Sequence, residues 1–267
     1  MRRVGIPLGA FSLVASMACG GGGDGPASPV APTPPTTLTP ASACDTLALT
    51  SSPTILNGAE CATANVAVVL LNMRDRTGFG VGACSGTVIS ERAILTAAHC
   101  LDDEVQLVRV FLGSGVEIAA ASFTMHPAYR GAGAADVGVV FMREPIGRRP
   151  MPLLLSREAR VGETAVIAGW GRNQNDVPAT LRAGVTTIAA AGSALLETQF
   201  AANVSSICSG DSGGPILLNE GGAWAIGGVS SATSANVCNT GTNFYVALRD
   251  VGVSSFVLGL VPDAIRR

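Results

Sequence analysis

Apolar positions along this chain gather in short runs. Val66–Asn72, Thr87–Ser90, Val105–Leu112, Asp136–Met142, Thr164–Ala168, Val185–Ala189, Pro215–Leu218, Trp224–Val229 and Phe244–Leu248 are each of strand length, and Gly, Pro, Asn or Ser residues bound most of them. Runs of this size between turn formers predict β-strands. Many of them in succession predict an all-β domain of barrels or sandwiches.

The N-terminal segment follows another pattern. Arg2 and Arg3 precede an apolar stretch from Val4 to Ala18 that ends at Cys19. A basic start followed by an apolar stretch too short to favour a spanning helix is the layout of a secretory signal. The following Cys19-Gly20-Gly21-Gly22-Gly23-Asp24 resembles the mature start of bacterial lipoproteins, in which the cysteine becomes a lipidated N-terminus. Ser16 stands where those proteins favour leucine, and plain secretion is the alternative. Residues 25–43 are rich in Pro, Thr, Ser and Ala, a composition that buries no core and is stiffened by its prolines. It reads as a spacer, although an unused leader would have the same composition. The chain thus divides into a signal (1–18), a tether (19–43), a propeptide segment (44–54), a folded domain (55–262) and a short tail (263–267).

Composition narrows the function classes. Only 13% of residues are charged, 4% are aromatic and the net charge is −2, so no polyanion-binding surface is implied and nucleic acid is not an expected partner. The chain has no basic patch interleaved with aromatics, no phosphate-binding glycine loop and no paired-cysteine zinc spacing. Thirty-three glycines suit a loop-rich β protein.

Two motifs carry chemistry. Gly210-Asp211-Ser212-Gly213-Gly214-Pro215 places a serine in a glycine-rich bend, and Leu95-Thr96-Ala97-Ala98-His99-Cys100 offers one of the two histidines. A serine hydroxyl is a weak nucleophile at neutral pH and needs a base; histidine is the side chain whose ordinary pKa suits that task. Together, and in this order, the motifs resemble the TAAHC and GDSGGP signatures of the trypsin/chymotrypsin-like serine peptidases. The resemblance covers residues 55–262. It implies two antiparallel β-barrels with the active site in the cleft between them, and a short C-terminal helix over Val253–Val261. His99 and Asp136 would come from the first barrel and Ser212 from the second.

The resemblance also assigns roles. Asp136 opens an apolar run, as the family's triad aspartate does, and Met125-His126-Pro127-Ala128-Tyr129 upstream looks like the family's H-P-x-Y. Asp136 would orient His99. Asp102 and Asp103 are rivals by proximity, but they sit in an acidic turn and read as solvated. His126 reads as structural. The backbone amides of Gly210 and Ser212 would form the oxyanion hole. Ser230 matches the serine of the family's S-W-G segment, which pairs with substrate backbone; Ser231 and Ala232 depart from it. Ser206, six residues before Ser212, would lie at the base of the primary pocket. Ala232 and Asn243 would replace the two glycines of its walls. With no aspartate at the base and narrower walls, the expected preference is a small or medium uncharged residue before the scissile bond.

Seven cysteines in an exported chain imply disulfides. The resemblance pairs Cys84 with Cys100 and Cys208 with Cys238. With Cys19 lipidated, Cys44 is left for Cys61. Ile55-Leu56-Asn57-Gly58 resembles the family's mature N-terminus, whose freed amine pairs with the aspartate before the catalytic serine, here Asp211. A Cys44–Cys61 bond would then span the cleavage point and keep the cut enzyme on its tether. Thr54 stands where such zymogens carry Arg or Lys, so activation by another protease, self-cleavage and no processing all remain open.

The reading is a serine endopeptidase, exported as a cell-envelope lipoprotein or secreted, monomeric, acting on polypeptides without metal or organic cofactor. The alternative is an inactive protease-fold lipoprotein that serves as a binding module. An α/β esterase is set aside, because its histidine follows the serine and both histidines here precede Ser212.

Overall fold

The computed structural model describes residues 39–47, 51–52, 59–102, 104–131, 133–172, 180–201, 204–235, 238 and 240–267. The described chain begins with a short helix, α1 (Pro40–Thr46), and two short antiparallel strands, β1 (Ser51–Ser52) and β2 (Ala59–Cys61). A capping box between Thr39 and Ser42 starts α1, with Pro40 in its first turn. Ala43, Cys44 and Leu47 are buried, and a Cys44–Cys61 disulfide fastens the helix to β2. The tether expected over 19–43 therefore gives up its last residues to folded structure. Burial of that apolar face, together with the cap and the crosslink, offsets the conformational entropy that keeps a Pro/Thr-rich stretch extended. Cys19, Thr54 and Ile55 lie outside the described residues.

Six strands form the first barrel: β3 (Val68–Arg74), β4 (Gly80–Ser90), β5 (Ala93–Thr96), β6 (Leu107–Phe111), β7 (Glu117–Met125) and β8 (Gly138–Met142). They pair antiparallel in the order β3-β4-β5-β8-β7-β6 and close on β3. Val69, Leu71, Val88, Ile94, Val110 and Val139 are among its buried side chains. The sequence pattern misses β5 and β7, each for its own reason. The first is four residues long, and the second is Ala-rich and mostly exposed or half-exposed, so no apolar run marks it.

The second barrel contains β9 (Thr164–Gly169), β10 (Arg182–Ala191), β11 (Leu195–Gln199), β12 (Pro215–Glu220), β13 (Ala223–Thr233) and β14 (Thr242–Ala247). Their order is β10-β11-β14-β13-β12-β9, and a β9–β10 pairing closes the barrel. β2 joins at the start of β10, where Arg182 opposes Glu60. Helix α2 (Val251–Leu260) follows, capped by Asp250, whose carboxylate accepts from the Val253 N–H. It buries Val253 and Val257, and its Phe256 meets the edge of His126 at 4.8 Å, which makes His126 a packing residue of the first barrel. Trp170, just after β9, ties the barrels together: its indole N–H donates to the Val68 carbonyl at 3.3 Å and its ring meets Phe111 edge-on at 5.5 Å.

Candidate active site

β5 runs directly into a single 3-10 turn, Ala98–Leu101, that presents His99 half-buried. The Cys84–Cys100 disulfide holds this turn against β4; such a crosslink typically contributes about 2–4 kcal/mol. Asp136 is fully buried just before β8. One of its oxygens accepts the His99 backbone N–H at 2.8 Å. The other meets His99 Nδ1 at 2.7 Å and accepts the Ser231 hydroxyl at 2.6 Å. A carboxylate only accepts, so a neutral His99 carries its proton on Nδ1 and leaves Nε2 as the acceptor. Of the two sequence rivals, Asp102 is exposed, and Asp103 lies outside the described residues.

Ser231 is a residue that the sequence left unassigned. β13 pairs Ser230 with Tyr245 and Ala232 with Phe244, so Ser231 is the extra residue of a β-bulge, and the bulge turns it toward Asp136. Ser230 takes a different place from the one expected. Its carbonyl accepts from Gly213 at 2.8 Å and its N–H donates to Gly214 at 2.9 Å, so its backbone braces the serine loop; its hydroxyl is buried without a partner among the described residues.

The loop of Ser212 is shaped by two glycines. Gly210 has φ +96° and Gly213 φ +79°, backbone conformations that side chains disfavour. A Cβ on Gly213 would also lie 2.1 Å from Thr96 Oγ1 and 2.3 Å from the Ser85 carbonyl oxygen. This bare backbone lets a loop of the second barrel press onto the segment of the first that leads into His99. Ser212 is half-buried there, its carbonyl held by the Ser85 N–H at 2.8 Å. Its hydroxyl, its N–H and the N–H of Gly210 donate to no protein acceptor among the described residues.

Asp211 points the other way, into the interior. Its two oxygens accept the N–H groups of Gly171 and Cys208, both at 2.8 Å. Burial pushes its carboxyl up to about 6, against the pull of those two hydrogen bonds and of the Arg182 charge. Arg182 is itself buried, a feature the apolar pattern of β10 gives no hint of. It donates to the Gly171 carbonyl at 3.0 Å and stands 3.7 Å from Glu60. Burial pulls its guanidinium below the ordinary range, opposed by Glu60 and Asp211.

Ser206, expected at the pocket base, and Asn243, expected in its wall, join Thr198 in a chain. The Ser206 hydroxyl donates to Asn243 Oδ1 at 3.2 Å, and Asn243 Nδ2 donates to Thr198 Oγ1 at 3.0 Å, all of them buried. Ala232 is half-buried. The Cys208–Cys238 disulfide lines an open pocket beside them with Ser209, Thr233 and Ala235.

Comparison with known proteins follows the same lines. The sequence profile described as Trypsin matches residues 55–251. The chain is similar to phenoloxidase-activating factor 3 of Holotrichia diomphalia, 28% identical over 198 residues, with 58% of this chain and 56% of that protein covered. It is also similar to fibrinolytic enzyme isozyme C of Lumbricus rubellus, 28% identical over 202 residues, covering 62% and 83% respectively. The match thus spans little more than half the length of the first relative. A solved structure of HL collagenase superposes with a TM-score of 0.66 at 20% identity, covering 78% of this chain and 99% of that one, which shows the two-barrel fold.

Proposed function

The chain belongs to the trypsin family, and from that premise we propose that it is a serine endopeptidase with Ser212 as nucleophile, His99 as general base and Asp136 as the group that orients the base. His99 Nε2 takes the Ser212 proton as Oγ bonds to the substrate carbonyl carbon. The charge that develops on the carbonyl oxygen is met by the N–H groups of Gly210 and Ser212. The imidazolium then protonates the leaving amine, the C–N bond breaks, and water hydrolyses the acyl-enzyme by the same route in reverse. The observation that carries the reading is the Asp136–His99 pair: both carboxylate oxygens are spent on His99, which fixes its tautomer and leaves Nε2 on the acceptor side. The N–H groups of Gly210 and Ser212, which meet no acceptor among the described residues, support it.

Finer assignments belong to the same proposal. Ser206, Asn243 and Ala232 set the primary pocket, which takes a small or medium uncharged residue. The strand edge that binds substrate backbone begins at Ser231, since the backbone of Ser230 is committed to Gly213 and Gly214. Cleavage before Ile55 activates the enzyme by delivering an amine to Asp211. Cys44–Cys61 keeps the cut enzyme attached to an N-terminal tether that carries a lipid at Cys19.

The experiment is intact-mass measurement of purified protein with and without an organophosphonate that labels activated serines. One label per molecule, absent in Ser212→Ala, is the expected result. No label on a protein whose N-terminus is already Ile55 would instead favour a binding module on a protease fold.

A further inference from the structure

Ser85, the second residue of the Cys84-Ser85-Gly86 segment in β4, is fully buried, and every one of its polar groups is engaged. Its hydroxyl oxygen accepts the Trp170 N–H at 2.9 Å and stands 2.9 Å from the Gly210 carbonyl oxygen. Its N–H donates to the Ser212 carbonyl at 2.8 Å, and its own carbonyl accepts the Thr96 hydroxyl at 2.8 Å. A backbone N–H can only donate. The Trp170 bond therefore occupies a lone pair of the hydroxyl and directs its proton to Gly210.

One residue of the first barrel thus grips the serine loop of the second on both sides of Asp211. The neighbouring N–H of Gly171 holds the Asp211 carboxylate, so residues 210, 211 and 212 all hang on Ser85 and the Trp170–Gly171 turn. Ser85 also adjoins Cys84, which is bonded to the residue after His99. Anything that fixes Ser85 fixes the loop relative to the base.

We infer that the Ser85 hydroxyl is a positioning residue for the oxyanion hole: by locking the Gly210 carbonyl it aims the N–H groups of Gly210 and Ser212, without itself touching substrate. The inference rests on the peptidase reading given above. Deleting the hydroxyl leaves the buried Trp170 N–H and the half-buried Gly210 carbonyl without this partner, and the 210–211 peptide is then held by one bond, from the Asp211 N–H to the Cys208 carbonyl at 3.0 Å. The loss falls on the charge that exists only in the transition state, so kcat falls and KM does not.

The test is steady-state kinetics on the full protein after cleavage before Ile55, titrated for active sites with the phosphonate, as wild type, Ser85→Ala and Ser85→Thr. For Ser85→Ala, kcat is expected to drop about ten- to hundred-fold with KM changed by less than about twofold, the scale of a displacement of reacting groups by about 1 Å. Affinity for a peptide boronate, whose adduct places an oxygen in the hole, should fall in parallel with kcat. Ser85→Thr keeps the hydroxyl and should retain most of kcat. If Ser85→Ala proves too unstable to purify, Ser85→Gly deletes the hydroxyl without adding atoms. An unchanged kcat in Ser85→Ala, a loss confined to KM, or equal losses in Ala and Thr would overturn the inference. Failure of wild type already cut before Ile55 to take the label would sink the peptidase reading itself, which is a separate result.

Discussion

Asp136 and Asp211 are both buried carboxylates near the serine, but they are satisfied differently. Asp136 accepts from a histidine ring, a backbone N–H and the Ser231 hydroxyl. Asp211 has two backbone donors, with Arg182 beyond Gly171, and burial outweighs them, raising its carboxyl from 3.8 to about 6. The sign follows by linkage. Unfolded, the group loses its proton near 3.8; folded, it holds the proton to about 6. Its contribution to stability is full below the unfolded value and is lost as pH rises through about 6, a change on the order of 3 kcal/mol. Melts from pH 3.5 to 7 should show wild type losing ground against Asp211→Asn across that window. If cleavage delivers the Ile55 amine to Asp211, the carboxyl falls instead and the window disappears, so melts of cut and uncut protein should diverge in slope. At this scale the sequence was informative about Asp136, because it heads an apolar run as the aspartate of the family it resembles does. It was silent about Ser231, because a bulge changes which face a residue takes without changing its identity.

Elements show the same division. Strands with continuous apolar runs, such as β3, β8 and β12, were legible, because both faces are buried. β7 was not, since most of its residues are exposed or half-exposed and alanine marks no face. α1 was hidden inside a Pro/Thr-rich stretch, where its cap and its buried Ala43, Cys44 and Leu47 count only once a barrel exists to receive them. The Cys44–Cys61 bond gives α1 a testable consequence. Protein cut before Ile55 should run as two bands on a reducing gel and as one without reductant. Release of the N-terminal fragment without reductant would contradict the retained tether.

The proposed primary pocket draws on the whole second barrel, since Ser206, Thr198 and Asn243 come from three separate stretches and meet only in the folded chain. Those three side chains offer hydroxyls and an amide, with no acid among them to receive a basic substrate residue. Across peptides with Ala, Val, Phe or Arg before the scissile bond, kcat/KM should be highest for Ala or Val and lowest for Arg. Arg as the best substrate would contradict this account of the pocket.

The sequence by itself determined the class of fold, most of the longer barrel strands that are buried on both faces, and the residue types of the proposed triad. Those features are local: apolar runs, turn formers and short motifs survive in one dimension. The tertiary structure decided the rest. It set Ser231 against Asp136, placed Arg182 behind Asp211, committed Ser230 to the serine loop and bound that loop to the first barrel through Ser85. These contacts join residues distant in sequence, and their geometry depends on bulges, positive-φ glycines and burial, which exist only once both barrels have closed and packed together.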